Sequence, residues 1–183
     1  GLCRMETGMK TGLIHVYCGN GKGKTTTGMG LCARAAGYGY KVLIYQFMKN
    51  NKTNERTVLE KVENVTWVDG LDKEKFSRQM SDEEKLERRA FYAEQFRKVT
   101  ALAREGDYDV LFLDETIYTI RAGLLDESLV TEFLDHKPEK LEVILTGQDP
   151  GEAILERADY VSEICMRRHP YKKGIPARDG IER

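Results

Sequence analysis

Three glycines alternate with polar and basic residues in the stretch Gly19-Asn20-Gly21-Lys22-Gly23-Lys24-Thr25-Thr26. Glycine tolerates positive φ and carries no Cβ, so several backbone N–H groups in such a stretch can converge on one anion. Before it, residues 13–17 mix β-branched and aromatic side chains over a strand's length; after it, residues 26–36 are small and helix-compatible. Strand, glycine loop and helix together form a phosphate cradle, completed by the positive N-terminal end of the helix dipole. Lys24 would lie against phosphate oxygens, and the Thr25 hydroxyl is placed to ligate a Mg²⁺ that arrives with a nucleotide. The common spacing G-x-x-x-x-G-K-[ST] would put a glycine at position 18; this chain has Cys18 there, and its first glycine comes one residue late.

A second chemical feature lies downstream. Residues 109–115 read Asp-Val-Leu-Phe-Leu-Asp-Glu, an apolar strand that ends in two carboxylates, Asp114 and Glu115. Next to a phosphate loop, a carboxylate at a strand tip holds Mg²⁺ directly or through water, opposite the loop threonine. Thr25, Asp114 and Glu115 are therefore the expected metal set.

Elements must bring these parts together. A buried strand over residues 41–47, stopped off from the first helix by Gly37-Tyr38-Gly39, completes a β-α-β unit. A short helix over 55–62, a strand over 65–68 and a charged loop over 69–80 interrupted by Phe76 follow. Loops at strand C-terminal ends are where ligand contacts gather in open α/β sheets. Ser81 with Glu84 forms a capping box for the longest helix, whose Leu86, Ala90, Ala93, Phe96, Val99 and Ala103 recur at helical spacing, with Arg88, Arg89, Arg97 and Lys98 on a solvated face. A helix over 126–135, a strand over 141–146, a helix capped by Asp149-Pro150 and running to 158, and a last strand over 160–166 complete the alternation. The basic tail, residues 167–183, reads from composition as a frayed terminus. The expected fold is a three-layer αβα domain over residues 13–183 with a mainly parallel sheet of about six strands, of the RecA-like phosphate-loop kind, preceded by a flexible arm over residues 1–12.

Composition bounds the function. With 183 residues, 40% hydrophobic and 32% charged, the chain suits one globular domain. Its 29 basic and 30 acidic residues balance, which argues against a general nucleic-acid binder. Cys3, Cys18, Cys32 and Cys165 form no C-x-x-C pair, so reduced thiols in a cytoplasmic protein are the expectation. Neither a signal-peptide core nor an 18-residue apolar run is present, which points away from membranes. From the residues alone, a small-molecule kinase or ATPase and a nucleotide-binding regulator remain open beside any other use of the loop.

The motifs taken together resemble one family, the ATP:corrinoid adenosyltransferases that carry a phosphate loop. The loop at 19–26, with its late first glycine, has that family's form. Further matches are Ala33-Arg34-Ala35 with Gly37 and Gly39, Gln46-Phe47-Met48-Lys49, Leu113-Asp114-Glu115, Ile144-Leu145-Thr146-Gly147 and Ala158-Asp159-Tyr160-Val161-Ser162-Glu163. In the tail, Arg168-His169-Pro170-Tyr171, Gly174-Ile175-Pro176-Ala177-Arg178 and Gly180-Ile181-Glu182 also match, and the resemblance implies a working tail instead of a frayed one.

The resemblance implies transfer of the 5′-deoxyadenosyl group of ATP to the Co(I) centre of a reduced corrinoid (cobalamin, cobinamide or cobyrinic acid a,c-diamide), with release of triphosphate. It implies that the loop grips triphosphate in an orientation opposite to that of ordinary ATPases. Lys24 and Glu115 would be the catalytic residues, and Gly19, Asn20, Gly21, Lys22, Gly23, Lys24, Thr25 and Thr26 would hold the nucleotide. Thr25, Asp114 and Glu115 would hold Mg²⁺ or Mn²⁺. Relatives carry a Phe and a Trp two residues apart in the loop after the third strand, where this chain has Phe76 and Arg78. Phe76 is expected to contact the corrinoid ring, and Arg78 to address a peripheral carboxylate or amide. A homodimer, an N-terminal arm reaching to a neighbour's site and a flavoprotein or other reductase that supplies Co(I) are further implications.

Overall fold

Strand-length apolar runs alternate with helices throughout the chain, and in the computed structural model, which describes residues 11–183, they assemble into one parallel sheet. The elements are β1 (Ile14–Cys18), α1 (Lys24–Tyr38), β2 (Val42–Gln46), α2 (Asn54–Leu59), β3 (Val65–Val68), α3 (Asp82–Glu105), β4 (Val110–Asp114), α4 (Thr116–Arg121), α5 (Glu127–His136), β5 (Glu142–Thr146), α6 (Glu152–Leu155) and β6 (Tyr160–Glu163). Short 3₁₀ turns occupy Ser77–Gln79 and Pro170–Lys173. The strand order is β3-β2-β4-β5-β1-β6, all pairs parallel. This is the three-layer, P-loop NTPase-like α/β arrangement expected from the sequence. Of the expected arm, residues 1–10 lie outside the described part.

Period-2 alternation sends successive strand residues to opposite faces. Leu43, Tyr45, Leu111, Leu113, Val143 and Leu145 join Phe96, Val99, Ile117 and Leu134 on one face; Val42, Ile44, Val110, Phe112 and Ile144 join Met29, Cys32 and Ala35 of α1 on the other. Because helices cover both faces, the central strands read as unbroken apolar runs, and β2 and β4 are buried along their whole length. Among the described residues no helix is long and apolar enough to cross a membrane.

Several expectations are corrected. Helix α6 is one turn long and is capped by Gly151, because Asp149 pairs with Arg121 (3.1 Å) and the chain must turn early to bring the Asp159 carboxylate to the Ile14 N–H (2.8 Å) at the start of β6. Strand β6 ends at Glu163, beyond which the Ile164 carbonyl turns to accept from the Gly21 N–H. Helix α4 is an addition: its β-branched Thr116, Ile117, Thr119 and Ile120 carry little helix propensity, but Ile117 is buried and the Thr119 hydroxyl bonds the Glu115 carbonyl (2.7 Å). On α3 the inward face is Tyr92, Gln95, Phe96, Val99 and Ala103, whereas Leu86 is 70% exposed, so the apolar stripe starts later than the spacing suggested. Arg88 is not solvated; its side chain is 18% exposed and pairs with Glu74.

Helix α1 lies close against β4 because residue 28 is glycine. A Cβ there would sit 2.3 Å from the buried Phe112 ring, whereas one at Gly30 in the same helix would meet nothing within 4 Å. Gly28→Ala is therefore expected to lower stability by about 1–3 kcal/mol through overpacking. Gly30→Ala should raise it by about 0.5–1 kcal/mol through helix propensity. Urea unfolding midpoints of the two variants measure the contrast, and a Gly28→Ala protein as stable as the parent would show that the helix can move off the sheet freely.

Candidate active site

The site is built at the C-terminal ends of the parallel strands. The loop between β1 and α1 turns through two left-handed glycines, Gly19 at φ 100° and Gly23 at φ 114°. The loop glycines divide their work. The Gly19 N–H donates to the Gln148 carbonyl (2.9 Å) and the Gly21 N–H to the Ile164 carbonyl (2.8 Å), so these two donors hold the loop against its neighbours. The first helical bond in α1 runs from the Thr27 N–H to the Gly23 carbonyl (2.8 Å), which leaves the N–H groups of Lys24, Thr25 and Thr26 at the open helix end for an anion. Asn20 ties the loop to the tail, its Oδ1 accepting from the Met166 N–H (2.8 Å). Lys24 Nζ rests on the Gly21 carbonyl (2.9 Å), inside the loop it would serve.

Strand β5 separates β1 from β4, and its last residue bridges the gap. The Asp114 carboxylate at the tip of β4 is fully buried, a state that requires nearly complete hydrogen bonding. Its Oδ1 accepts from the Thr25 hydroxyl (2.9 Å) and the Thr146 hydroxyl (2.7 Å); its Oδ2 accepts from Lys49 Nζ (2.6 Å) and Gln46 Nε2 (3.2 Å). Lys49 Nζ also donates to the Thr25 hydroxyl (3.1 Å). Burial alone would lower the Lys49 ammonium, but Asp114 and Glu115 reverse this, and its pKa lies above the ordinary value.

Glu115 takes the left-handed conformation (φ 64°), costly for a residue with a side chain, and turns the chain sharply from β4 into α4. Its N–H donates to Thr146 Oγ1 (2.8 Å), and its carbonyl accepts from the Thr119 N–H (3.0 Å). Among the described residues its carboxylate has no hydrogen-bonded partner, unlike that of Asp114. Burial pushes the Glu115 pKa up, and the neighbouring Asp114 charge adds to the rise, against the pull of Lys49 and Lys24.

A cleft of about 860 Å³ opens beside these groups. Thr25, Thr26 and Lys49 line one side of it, Glu74 and Phe76 another, and Asp179 to Arg183 of the tail a third. Phe76 is 61% exposed, with the Arg78 guanidinium over its ring at 5.1 Å. The tail is thus no frayed end: its Arg178–Glu182 pair (2.8 Å) folds it locally, and Asn54 donates to the Arg183 carbonyl (3.0 Å). The structure brings Lys24, Thr25, Thr26, Asp114 and Glu115 to one place, with Phe76 on the wall of the adjoining cleft. Sequence reasoning overlooked Gln46, Lys49 and Thr146 as site residues, although all three lie in motifs at strand ends, the one signal that could have found them.

The upward shift of Glu115 gives a signed expectation for stability. The folded state holds its proton more tightly than the unfolded chain, so the ionised carboxylate weakens the ligand-free fold, and that penalty grows as pH rises above the ordinary 4.5. Glu115→Gln should therefore melt higher than the parent at neutral pH, with the difference closing below pH 4.5. Thermal melts across pH test this; a variant that melts lower at neutral pH would contradict it.

Comparison with known proteins accords with this geometry. The family described as ATP:corrinoid adenosyltransferase BtuR/CobO/CobP matches residues 10–183. The corrinoid adenosyltransferase of Escherichia coli K12 is 34% identical over 174 residues, covering 93% of this chain and 85% of that protein. Those of Pseudomonas aeruginosa and Salmonella typhimurium are each 33% identical, again over 93% of this chain and over 83% and 85% of their own lengths. Among solved structures, the cytoplasmic domain of EssC aligns at 18% identity with a TM-score of 0.50, over 94% of this chain and 37% of that one, a likeness of fold alone. A family match over nearly the whole chain, with relatives at a third identity, establishes that this chain belongs to the ATP:corrinoid adenosyltransferase family.

Proposed function

We propose that this protein transfers the 5′-deoxyadenosyl group of ATP to the Co(I) centre of a reduced corrinoid and releases triphosphate. The observation that carries this reading is that the phosphate-loop threonines, Lys49 and the exposed Phe76 line one cleft. A nucleotide held by its phosphates and a flat apolar macrocycle can therefore meet there. In the reaction the cobalt electron pair forms a bond to C5′, the C5′–O5′ bond breaks, and its electron pair leaves on the α-phosphate oxygen. Cobalt supplies the nucleophile, so the protein's part is to position C5′ and to stabilise charge on the leaving group.

Lys24 and the N–H groups opening α1 are suited to hold the triphosphate, with Lys22 beside them. The donor set also fits a magnesium ion: hydroxyl and carboxylate oxygens are the hard ligands it prefers. Thr25 and Glu115 would take it or its waters, while Asp114, whose oxygens already accept four donors, would orient Thr25. Bound there, the ion would neutralise phosphate charge. Phe76 is suited to lie on the corrinoid face, and Arg78, stacked on it, to meet a peripheral amide or carboxylate. A cytoplasmic homodimer, served by a flavoprotein or other reductase that generates Co(I), completes the proposal. The acceptor is cobalamin, cobinamide or cobyrinic acid a,c-diamide.

Anaerobic incubation with ATP, Mg²⁺ and a chemically reduced corrinoid tests the reaction: triphosphate and an adenosylated corrinoid are expected, and ADP as the product would overturn the reading. Lys24→Ala should slow adenosylation by about 100-fold or more. Phe76→Ala should lose most corrinoid turnover while ATP affinity stays normal, and unchanged turnover would remove Phe76 from the site.

A further inference from the structure

Beneath the cleft, the hydroxyl of Tyr92 on α3 joins two loops. It accepts from the Met48 N–H (3.0 Å), in the loop after β2 that carries Lys49, and donates to Glu74 Oε2 (2.5 Å), in the loop after β3 that carries Phe76. The ring is 2% exposed and packs on Phe47 (centroids 5.3 Å apart) and Phe91 (5.4 Å), so the hydroxyl has little freedom to point elsewhere. Burial pushes its pKa up to about 12, which keeps it a donor at any working pH. Glu74, with a side chain 5% exposed, also pairs with Arg88, so α3 grips this carboxylate with both a hydroxyl and a guanidinium.

The two loops depend on Tyr92 to different degrees. Lys49 is fixed independently by Asp114 and Thr25, and the Phe47 N–H is held by the Asp114 carbonyl (3.0 Å). Met48, between them, has φ 60°, a turn that those anchors constrain from both sides. On the other loop the Phe76 side chain is exposed and lies two residues past Glu74; the loop is held beside it by the Lys75 ion pair to Glu84 of α3, by the Gln79 N–H on the Phe76 carbonyl (2.8 Å) and by Ser77 Oγ to Tyr118 OH (3.2 Å). The nucleotide half of the cleft is therefore secured without Tyr92, whereas on the Phe76 half the one side-chain tie among the described residues that is itself buried is Glu74, to which Tyr92 and Arg88 both reach.

We propose that Tyr92 is a positioning residue for the second substrate: through Glu74 it sets the height of the loop over residues 71–79, and so of Phe76, against the nucleotide end of the cleft. This rests on the adenosyltransferase reading for the identity of that substrate, but the loop placement does not.

The test is Tyr92→Phe, which keeps the ring packing and removes only the hydroxyl. In the ligand-free protein, amide hydrogen exchange over residues 71–79 should speed up by about fivefold or more, as loss of a hydrogen bond to a charged group would allow, while exchange in α3 over residues 95–103 stays unchanged. In turnover, KM for the reduced corrinoid should rise by about fivefold with KM for ATP unaltered. Glu74→Gln should act in the same direction, and the double variant should show less than the sum of the two effects. Uniform acceleration of exchange, or an equal rise in both KM values, would mean that Tyr92 merely supports the fold and would overturn the proposal, as would unchanged exchange and KM. A parent protein without adenosylation activity would count against the functional reading alone, and the exchange experiment would still decide the loop placement.

Discussion

A carboxylate buried without access to water must find donors for its lone pairs, and in this protein that requirement falls on Asp114. Its partners come from four places in the chain: Thr25 at the start of α1, Gln46 at the end of β2, Lys49 in the loop beyond, and Thr146 at the end of β5. Each donor sits where a parallel strand ends or its following helix begins. The strand order matters here, because only with β5 between β1 and β4 does Thr146 stand between the phosphate loop and the carboxylate. Satisfying one buried charge thus fixes the mutual placement of the loop, the Lys49 ammonium and the turn at Glu115.

The two adjacent carboxylates differ because of this arrangement. Asp114 is saturated with donors. Glu115, one residue on, joins that network only through its N–H on Thr146 Oγ1, keeps its carboxylate without a hydrogen-bonded partner among the described residues, and has its pKa raised by burial and by Asp114. A group that destabilises the ligand-free fold while it is charged is one that a bound cation would relieve, which is the usual relation between local instability and a working site.

The cleft itself joins elements of unequal firmness. The end nearest the phosphate loop is made from strand ends and the first turn of α1, all tied into the sheet. The Phe76 side is a loop held from beneath by α3, and the third side is the tail, fastened at Asn20 and Asn54. On the proposed function, the end tied into the sheet would take the phosphates, and the loop and tail walls would meet the corrinoid.

Much of this was legible in local pattern. The glycine loop, the apolar strand ending in Asp114 and Glu115, the Ser81–Glu84 capping box and the strand over 65–68 are set by residue types a few positions apart, and such signals survive folding because neighbours in sequence remain neighbours in space. Global alternation of strand and helix likewise gave the layered parallel fold. What local pattern could not reveal depends on residues far apart in the chain: Arg88 looks like a solvent-facing charge until Glu74 is folded beneath it, Leu86 looks inward until α3 is set on the sheet, and α4 forms from β-branched residues because Ile117 needs a buried place. Lys49 and Thr146 belong to the same class, since 65 and 32 residues separate them from the Asp114 carboxylate they serve. The sequence by itself determined the chemistry available to this protein, a phosphate loop with a carboxylate pair. Only the tertiary structure decided which carboxylate is bound up in hydrogen bonds and which has no hydrogen-bonded partner among the described residues, because burial and donor geometry are properties of the packed chain.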